Sequence, residues 1–309
     1  MTVIVFPGQG SQFLEMSKDF YDNFDIARDV FNLVSDTANI DIKNIIFKNP
    51  SDLLNQTQYT QLAIFCASIS IFKVIEKEIN FQKLKVNYML GHSLGEYTAL
   101  TASGMLSIEN CALLLKIRGE LMQNAYEPNK SGMAAIIGIN SNIAEKLIKK
   151  HSLTVEIAND NSPQQIVISG IKSDLLNSEK IFLGGGAKKF ILLNVSSAFH
   201  SLLMHEAEKK MKEFIFNTDF KESQISIISN YTGEISNNRK IILENLMKQM
   251  SNRVRWVESI NSLKRVNETN IIEIGPGKVL SGLIRRINTI FDIKNINKIA
   301  DIEKIKNEL

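Results

Sequence analysis

The short apolar run at residues 85–90 stops at Gly91-His92-Ser93-Leu94-Gly95 and passes at once into Glu96-Tyr97-Thr98-Ala99-Leu100. This is G-x-S-x-G with a strand before it and a helix after it, the setting in which the pattern has a mechanical meaning. A serine forced into so tight a turn needs small residues two positions to either side, where a Cβ would collide with neighbouring backbone. Its hydroxyl then stands at a helix N-terminus, where unpaired N–H groups and the helix dipole favour a developing oxyanion. A glycine-flanked turn with a helix-capping serine is the plainer alternative, and the strand–turn–helix context weighs against it. Ser93 is therefore the candidate nucleophile, and the chain is expected to be an α/β protein with a parallel sheet.

The start of the chain agrees. Val3-Ile4-Val5-Phe6 is a buried-strand pattern that runs into Pro7-Gly8-Gln9-Gly10-Ser11, a loop at a strand end, where ligands sit in open α/β sheets. Residues 14–43 are expected to be largely helical, residues 58–75 a core helix, and Ser107 the N-cap of a helix reaching about Asn124. The rhythm then changes. Strands are expected at 133–139, 154–158, 165–169 and 189–195, with helices at 142–150 and 173–182 and a turn cluster at 159–163. That β-α-β-β-α-β order is a ferredoxin-like pattern. It implies a catalytic body of residues 1–127 and 196–309 interrupted by a small subdomain at 128–195. In the second part of the body His200 is expected to open an amphipathic helix to about Phe216, with strands at 226–229, 271–274 and 296–300.

Composition narrows the function class. With 44% hydrophobic and 22% charged residues in 309, the chain can bury a full core, which excludes disordered and disulfide-scaffold classes. A net charge of +3 gives no footprint for nucleic acid. Cys66 and Cys111 both lie in apolar, helix-like stretches, so buried free thiols are expected and no metal site. Residues 133–139 form one of the longest apolar runs, too short to cross a membrane. Residues 1–6 lack the basic flank of a signal peptide, so a soluble cytoplasmic enzyme is expected.

Ser93 needs a base, and the four histidines compete for the role. His92 adjoins the serine in an extended turn and should point away. His151 and His205 lie among surface residues. His200 follows the exit from the small subdomain at an expected helix N-terminus, a position that disfavours imidazolium and leaves the ring free to accept a proton. The acid of a Ser–His–acid triad is harder to find. Asp160 and Asp174 both belong to the subdomain, so a backbone or amide carbonyl is the alternative partner for the imidazole. Arg118 falls on the apolar stripe of its helix, four residues from Leu114 and three from Leu121. A buried guanidinium needs an anion, either a protein carboxylate or a substrate carboxylate held bidentately.

Five ordered segments carry a resemblance over almost the whole chain. They are Val5-Phe6-Pro7-Gly8-Gln9-Gly10-Ser11-Gln12, Gly91-His92-Ser93-Leu94-Gly95-Glu96-Tyr97, Arg118-Gly119, Ala198-Phe199-His200-Ser201 and Glu273-Ile274-Gly275-Pro276-Gly277. Together they resemble the malonyl-CoA:acyl carrier protein transacylase family. The resemblance implies an α/β-hydrolase-like body with a ferredoxin-like insertion. It implies Ser93 as acylated nucleophile, His200 as base, the backbone N–H groups of Gln9 and Leu94 as oxyanion hole, and Arg118 as holder of the malonyl carboxylate. It further implies the main-chain carbonyl of Gln249 as the partner that orients His200, which would account for the missing acid. Phe199, Asn161 and Gln61 match recurrent substrate-side positions.

Finer features, among them Thr57-Gln58-Tyr59-Thr60-Gln61, Asn161-Ser162-Pro163 and residues 194–200, resemble free-standing acyltransferases that serve polyketide synthases. Phe199 before the histidine resembles malonyl-selecting members. Leu62 stands where proline is usual after Thr-Gln. The implied partners are coenzyme A thioesters and an acyl carrier protein, discrete or within a synthase, of polyketide or fatty-acid synthesis, with no bound cofactor, no metal and malonyl-CoA as substrate. The rival readings are a serine hydrolase that clears acyl groups from carrier proteins, against which Arg118 argues, and a non-catalytic carrier-docking protein.

Overall fold

In the computed structural model, which describes residues 2–79 and 81–306, the long sheet begins with the first segment of the chain. Strands β1 (Thr2–Phe6), β2 (Val86–Gly91), β7 (Ser226–Ile228), β9 (Asn270–Ile274) and β10 (Asp292–Ile296) run parallel, and β8 (Ile235–Ser236) pairs antiparallel with β7 at one edge. The order is β10-β9-β1-β2-β7-β8. All five residues of β1 are buried because both sheet faces are covered. Ile4 and Phe6 face the helix Thr57–Glu78, where Phe6 meets Phe72 edge-on at 5.9 Å. Val3 and Val5 face Trp256, Leu280 and Ile284 on the other side.

The helix Thr57–Glu78 is long and apolar enough to cross a membrane, yet 83% of its apolar window is buried inside the fold, so it is the core helix of the sheet's first face. Ser107 caps the helix Ile108–Gln123, its hydroxyl accepting from Asn110 N–H. Cys66 and Cys111 are buried free thiols.

Strands β3 (Ser131–Ile137), β4 (Glu156–Ser162), β5 (Gln165–Ile171) and β6 (Lys189–Leu192) form a second, antiparallel sheet in the order β4-β5-β3-β6. The helix Ser141–Lys150 connects β3 to β4 and the helix Lys172–Gly184 connects β5 to β6, each crossing one strand of the sheet. Ala134, Ile136, Ile166 and Ile168 pack on Leu175 and Phe182, while Met133 and Ala135 on the opposite face join the core of the large sheet. A short parallel bridge fastens the two parts: Asp160 N–H donates to Val254 C=O and Val254 N–H to Ala158 C=O, at 3.0 and 2.8 Å.

Three sequence expectations need correction. Residues 159–162 are strand, not turn. Two of their polar side chains find partners that only tertiary structure supplies, Ser141 Oγ on Asp160 and His92 on Asn161, and β4 carries two register shifts. The last strand is Asp292–Ile296, and residues 299–306 are helical. Only Ile293 and Ile296, three residues apart, are apolar and buried in β10, a spacing that breaks the alternation expected of a strand. His200 opens no helix: a 3-10 turn at Leu202–Met204 follows it and the α-helix begins at His205. The helices Arg239–Leu246, Trp256–Arg265 and Val279–Ile287 lie where the sequence suggested none. Glu273, buried in β9, caps the last of these by accepting from Leu280 N–H, Ser281 N–H and the Ser281 hydroxyl.

Candidate active site

The turn after β2 is forced by contact. A Cβ on Gly91 would lie 2.0 Å from Gly95 backbone atoms, and one on Gly95 would lie 2.3 Å from Phe6 C=O. Ser93 between them has φ 53° and ψ −108°, a backbone shape an L-residue holds only when its surroundings demand it. Asn230, in the loop after β7, staples the turn: Ser93 N–H donates to Asn230 Oδ1 and Asn230 Nδ2 to Gly91 C=O, both at 2.7 Å. The Ser93 hydroxyl does not cap its helix. It faces His200 Nε2 at 2.8 Å.

His200 also has a left-handed backbone, φ 55°, and its ring is buried. Its Nδ1 lies 3.0 Å from Gln249 C=O and 3.1 Å from Asn252 C=O. Carbonyls only accept, so the proton belongs on Nδ1 and the Nε2 lone pair faces the serine O–H. Burial, reinforced by repulsion from Arg118, holds the ring down at about 3, so it is a neutral base at ordinary pH. This neutrality does not come from a helix N-terminus. Asp160 and Asp174 are elsewhere, accepting from Ser141 and Thr154. His92 turns away from the serine to Asn161 Oδ1 at 2.8 Å, beside the Trp256 ring. His151 and His205 are exposed.

Arg118 is 1% exposed, and its hydrogen bonds run to neutral acceptors. Nη1 donates to Gln61 Oε1, and Nη2 donates to Gln249 Oε1 at 2.9 Å and to Ser93 Oγ at 3.0 Å. The guanidinium lies over the Tyr97 ring at 5.4 Å. Its height along the helix is set by Gly119, where a Cβ would press on Gln58 and Thr57 backbone at 2.9–3.0 Å. That close approach of two helices brings Arg118 level with Gln61.

A cavity of about 90 Å³ opens in front of Ser93. Gln9, Gln61, Leu94, Arg118, Phe199 and His200 all line it. The loop bearing Gln9 is pressed onto the serine turn, with His92 N–H donating to Phe6 C=O at 3.1 Å and no room for a Cβ on Gly8, 2.5 Å from His92 C=O. Asn161 is placed differently from the other expected residues: it holds His92, and Asn159 lines the cavity in its stead. On its outer side His200 borders a second, open cleft of about 380 Å³ between the two sheets, which Lys149, Arg253 and Arg255 also line. Among the described residues no group of three or more His, Cys, Asp or Glu is placed to hold a metal ion.

Sequence reasoning passed over Asn230, Asn252, the side chain of Gln249 and Glu96. Only Glu96 left a signal. It is the one acid in Leu94–Ala102, a helix whose residues are otherwise small, apolar or uncharged and are all buried.

The comparisons with known proteins agree along the whole chain. The acyl transferase domain model matches residues 3–304. A malonyl CoA-acyl carrier protein transacylase of Bacillus subtilis is 36% identical over 288 residues, covering 92% of this chain and 89% of its own. The crystal structure of an acyl-carrier-protein S-malonyltransferase from Bartonella henselae superposes with a TM-score of 0.94 at 36% identity, covering 99% and 98% of the two chains. A malonyl-transacylase in complex with its type II PKS acyl-carrier protein does so at 0.94 and 31% identity, covering 100% and 99%.

Proposed function

This chain belongs to the acyl transferase family, and from that premise we propose a two-step mechanism in which Ser93 carries the acyl group. The protein transfers malonyl from malonyl-CoA to the phosphopantetheine thiol of an acyl carrier protein. In the first step Ser93 Oγ attacks the thioester carbonyl while His200 Nε2 takes its proton, and coenzyme A leaves as the thiol after that proton is returned. In the second, the carrier thiol gives its proton to the same nitrogen and attacks the Ser93 ester; the Ser93 Oγ–acyl bond breaks, Oγ takes the proton back from His200, and the carrier departs as malonyl thioester. Both steps use side chains, backbone N–H groups and the thioester alone.

The carbonyl oxygen of each tetrahedral intermediate would be met by Gln9 N–H and Leu94 N–H, donors on two loops pressed together around the serine. Each such donor contributes roughly 10²–10³ in rate. Arg118 would take the malonyl carboxylate, with Gln61 and Phe199 shaping the cavity around it. The observation that carries the reading is the pair of distances at one atom: Ser93 Oγ is 2.8 Å from the neutral base and 3.0 Å from a buried cation. A hydrolase of neutral esters has no use for that cation. In an acyl-enzyme bearing a free carboxylate it both binds the group and offsets its charge. The open cleft on the far side of His200, whose walls carry Lys149, Arg253 and Arg255 with Glu145 and Glu156 among them, supports an approach path for a pantetheine arm.

We also read the chain as an α/β-hydrolase-like body, residues 1–127 and 196–309, with a ferredoxin-like subdomain at 128–195. The antiparallel order β4-β5-β3-β6 with two connecting helices supports that reading. Dependence on a coenzyme A thioester supports a cytoplasmic location.

Incubation with malonyl-CoA followed by intact-mass measurement tests the mechanism. The wild type should carry one malonyl group that holo-carrier protein removes, and Ser93→Ala should carry none. Free malonate released with no adduct would overturn transfer through Ser93. Arg118→Ala should lose malonyl preference over acetyl by about 10²-fold, the scale of a lost charge-assisted bond. An unchanged preference would overturn the carboxylate clamp.

A further inference from the structure

The structure assigns Glu96 a role in substrate selection: we propose that it positions Arg118 through the side-chain amide of Gln249. The proposal rests on the reading of Arg118 as carboxylate clamp. Glu96 is fully buried and touches neither the acyl cavity nor the guanidinium. Its Oε2 accepts from Gln249 Nε2 at 2.7 Å and from Asn230 N–H at 3.1 Å. The second hydrogen of Gln249 Nε2 goes to Ser93 C=O at 2.9 Å, and Gln249 Oε1 accepts from Arg118 Nη2 at 2.9 Å.

Every atom of that amide is thus committed in one sense. Turned over, it would set its oxygen against a carboxylate and a carbonyl and its N–H groups against a guanidinium, three contacts of like with like in a dry site. The Glu96 carboxylate, a pure acceptor when ionised, makes one orientation much the better. That orientation presents an oxygen to Arg118 and fixes Nη2 beside Ser93.

The spacing has a second consequence. A buried guanidinium favours a counter-charge nearby. A carboxylate in direct contact would occupy the fork that the substrate must use. With Gln249 between them, the fork stays clear of a protein carboxylate, and Nη1, which gives only one of its two hydrogens to Gln61, keeps a donor for an incoming carboxylate. Burial holds the Glu96 carboxyl up at about 7, against the hydrogen bonds from Gln249 and Asn230 and the attraction of Arg118. This agrees with an acid held in place by its surroundings at some cost to the ionised form.

The test measures kcat/KM for Ser93 acylation by malonyl-CoA and by acetyl-CoA in wild type, Glu96→Ala, Glu96→Gln, Gln249→Met, the Glu96→Ala/Gln249→Met pair and Arg118→Ala, with near-UV circular dichroism to check each fold. The malonyl/acetyl ratio should fall about tenfold or more in Glu96→Ala, mainly through KM for malonyl-CoA, as for a lost hydrogen bond to a charged group. Glu96→Gln keeps an acceptor for the Gln249 amide and should stay within about threefold of wild type. Gln249→Met should match Glu96→Ala, and the pair should fall no further than Gln249→Met alone.

Equal losses for both substrates in Glu96→Ala would make Glu96 a prop for the serine turn and overturn the proposal. Effects that multiply in the pair would overturn it too. If Glu96→Ala does not fold, an unchanged ratio in Gln249→Met overturns it. An unchanged ratio in Arg118→Ala marks failure of the clamp itself, whereas a ratio lost only in Arg118→Ala marks failure of the relay alone.

Discussion

Ser93 and His200 meet at 2.8 Å and have nearly the same unusual backbone, φ 53° and φ 55°, but the two regions hold that shape by opposite means. At Ser93 the first cause lies within five residues. Gly91 comes so close to the Gly95 backbone that it tolerates no side chain, Gly95 is pressed on Phe6 C=O at the end of the neighbouring strand, and Asn230 staples the turn. At His200 no flanking glycine exists. The ring is anchored by Gln249 and Asn252 carbonyls some fifty residues ahead, and the chain by Ser169 Oγ on Phe199 C=O thirty residues back. Glu208 holds the far loop in its turn, accepting from Ser251 N–H and hydroxyl at 2.9 and 2.6 Å. A serine turn determined largely within its own segment thus faces a histidine that is in place only once distant segments have packed.

The comparison breaks most sharply at Gly91. A single methyl in Gly91→Ala should cost more than about 4 kcal/mol or abolish folding, since the obstructing atoms are backbone and cannot rotate aside. Gly10→Ala, at a position of positive φ but with open space around it, should cost only about 1 kcal/mol. Urea unfolding of the two variants gives the contrast, and equal costs would show that the turn is not sterically forced.

On the histidine side a remote change should act on rate more than on fold. Glu208→Ala releases Ser251 and with it the loop bearing both carbonyls that face Nδ1. Acylation by malonyl-CoA should slow about tenfold. The wild-type rate in a folded Glu208→Ala protein would show that His200 is held locally after all.

The mildest test is pH. Burial holds His92 at about 4 and His200 at about 3, below the ordinary 6.5. The unfolded chain therefore takes up two protons that the folded chain refuses. Their contribution to stability should be level above pH 6.5 and decline as pH falls from 6.5 towards 4. Over the same range His200 stays neutral in the folded protein, so acylation should show no acid limb near 6.5. Stopped-flow acylation at pH 5–8 checks this, and a limb at 6.5 would mean a solvated ring.

What could be read from residue order follows the same division. The G-x-S-x-G turn, β1, the core helix and the Ser107 cap were legible because each depends on contacts within a few residues. Arg118 was legible as misplaced, a charge on an apolar stripe, though not what it would meet. Residues 159–162 read as a turn because Asn159, Asp160 and Asn161 are turn formers, and only the folded chain lets Ser141 and His92 bond Asp160 and Asn161. Asn161 was expected beside the substrate, and the register shifts in β4 turn its side chain to His92. Three helices near the C-terminal end went unseen.

By itself the sequence determined the α/β class, the strained serine turn and a guanidinium on the apolar stripe of its helix, because steric exclusion and helical periodicity act over short stretches of chain. Only the tertiary structure decided that Gln61 and Gln249 would meet that cation with Glu96 behind Gln249, that two carbonyls would set the tautomer of His200, and that Asn230 would staple the serine turn. Hydrogen bonds between segments 50–150 residues apart leave no periodic trace in sequence, since each needs only one polar side chain or backbone group at the right place once the chain has closed.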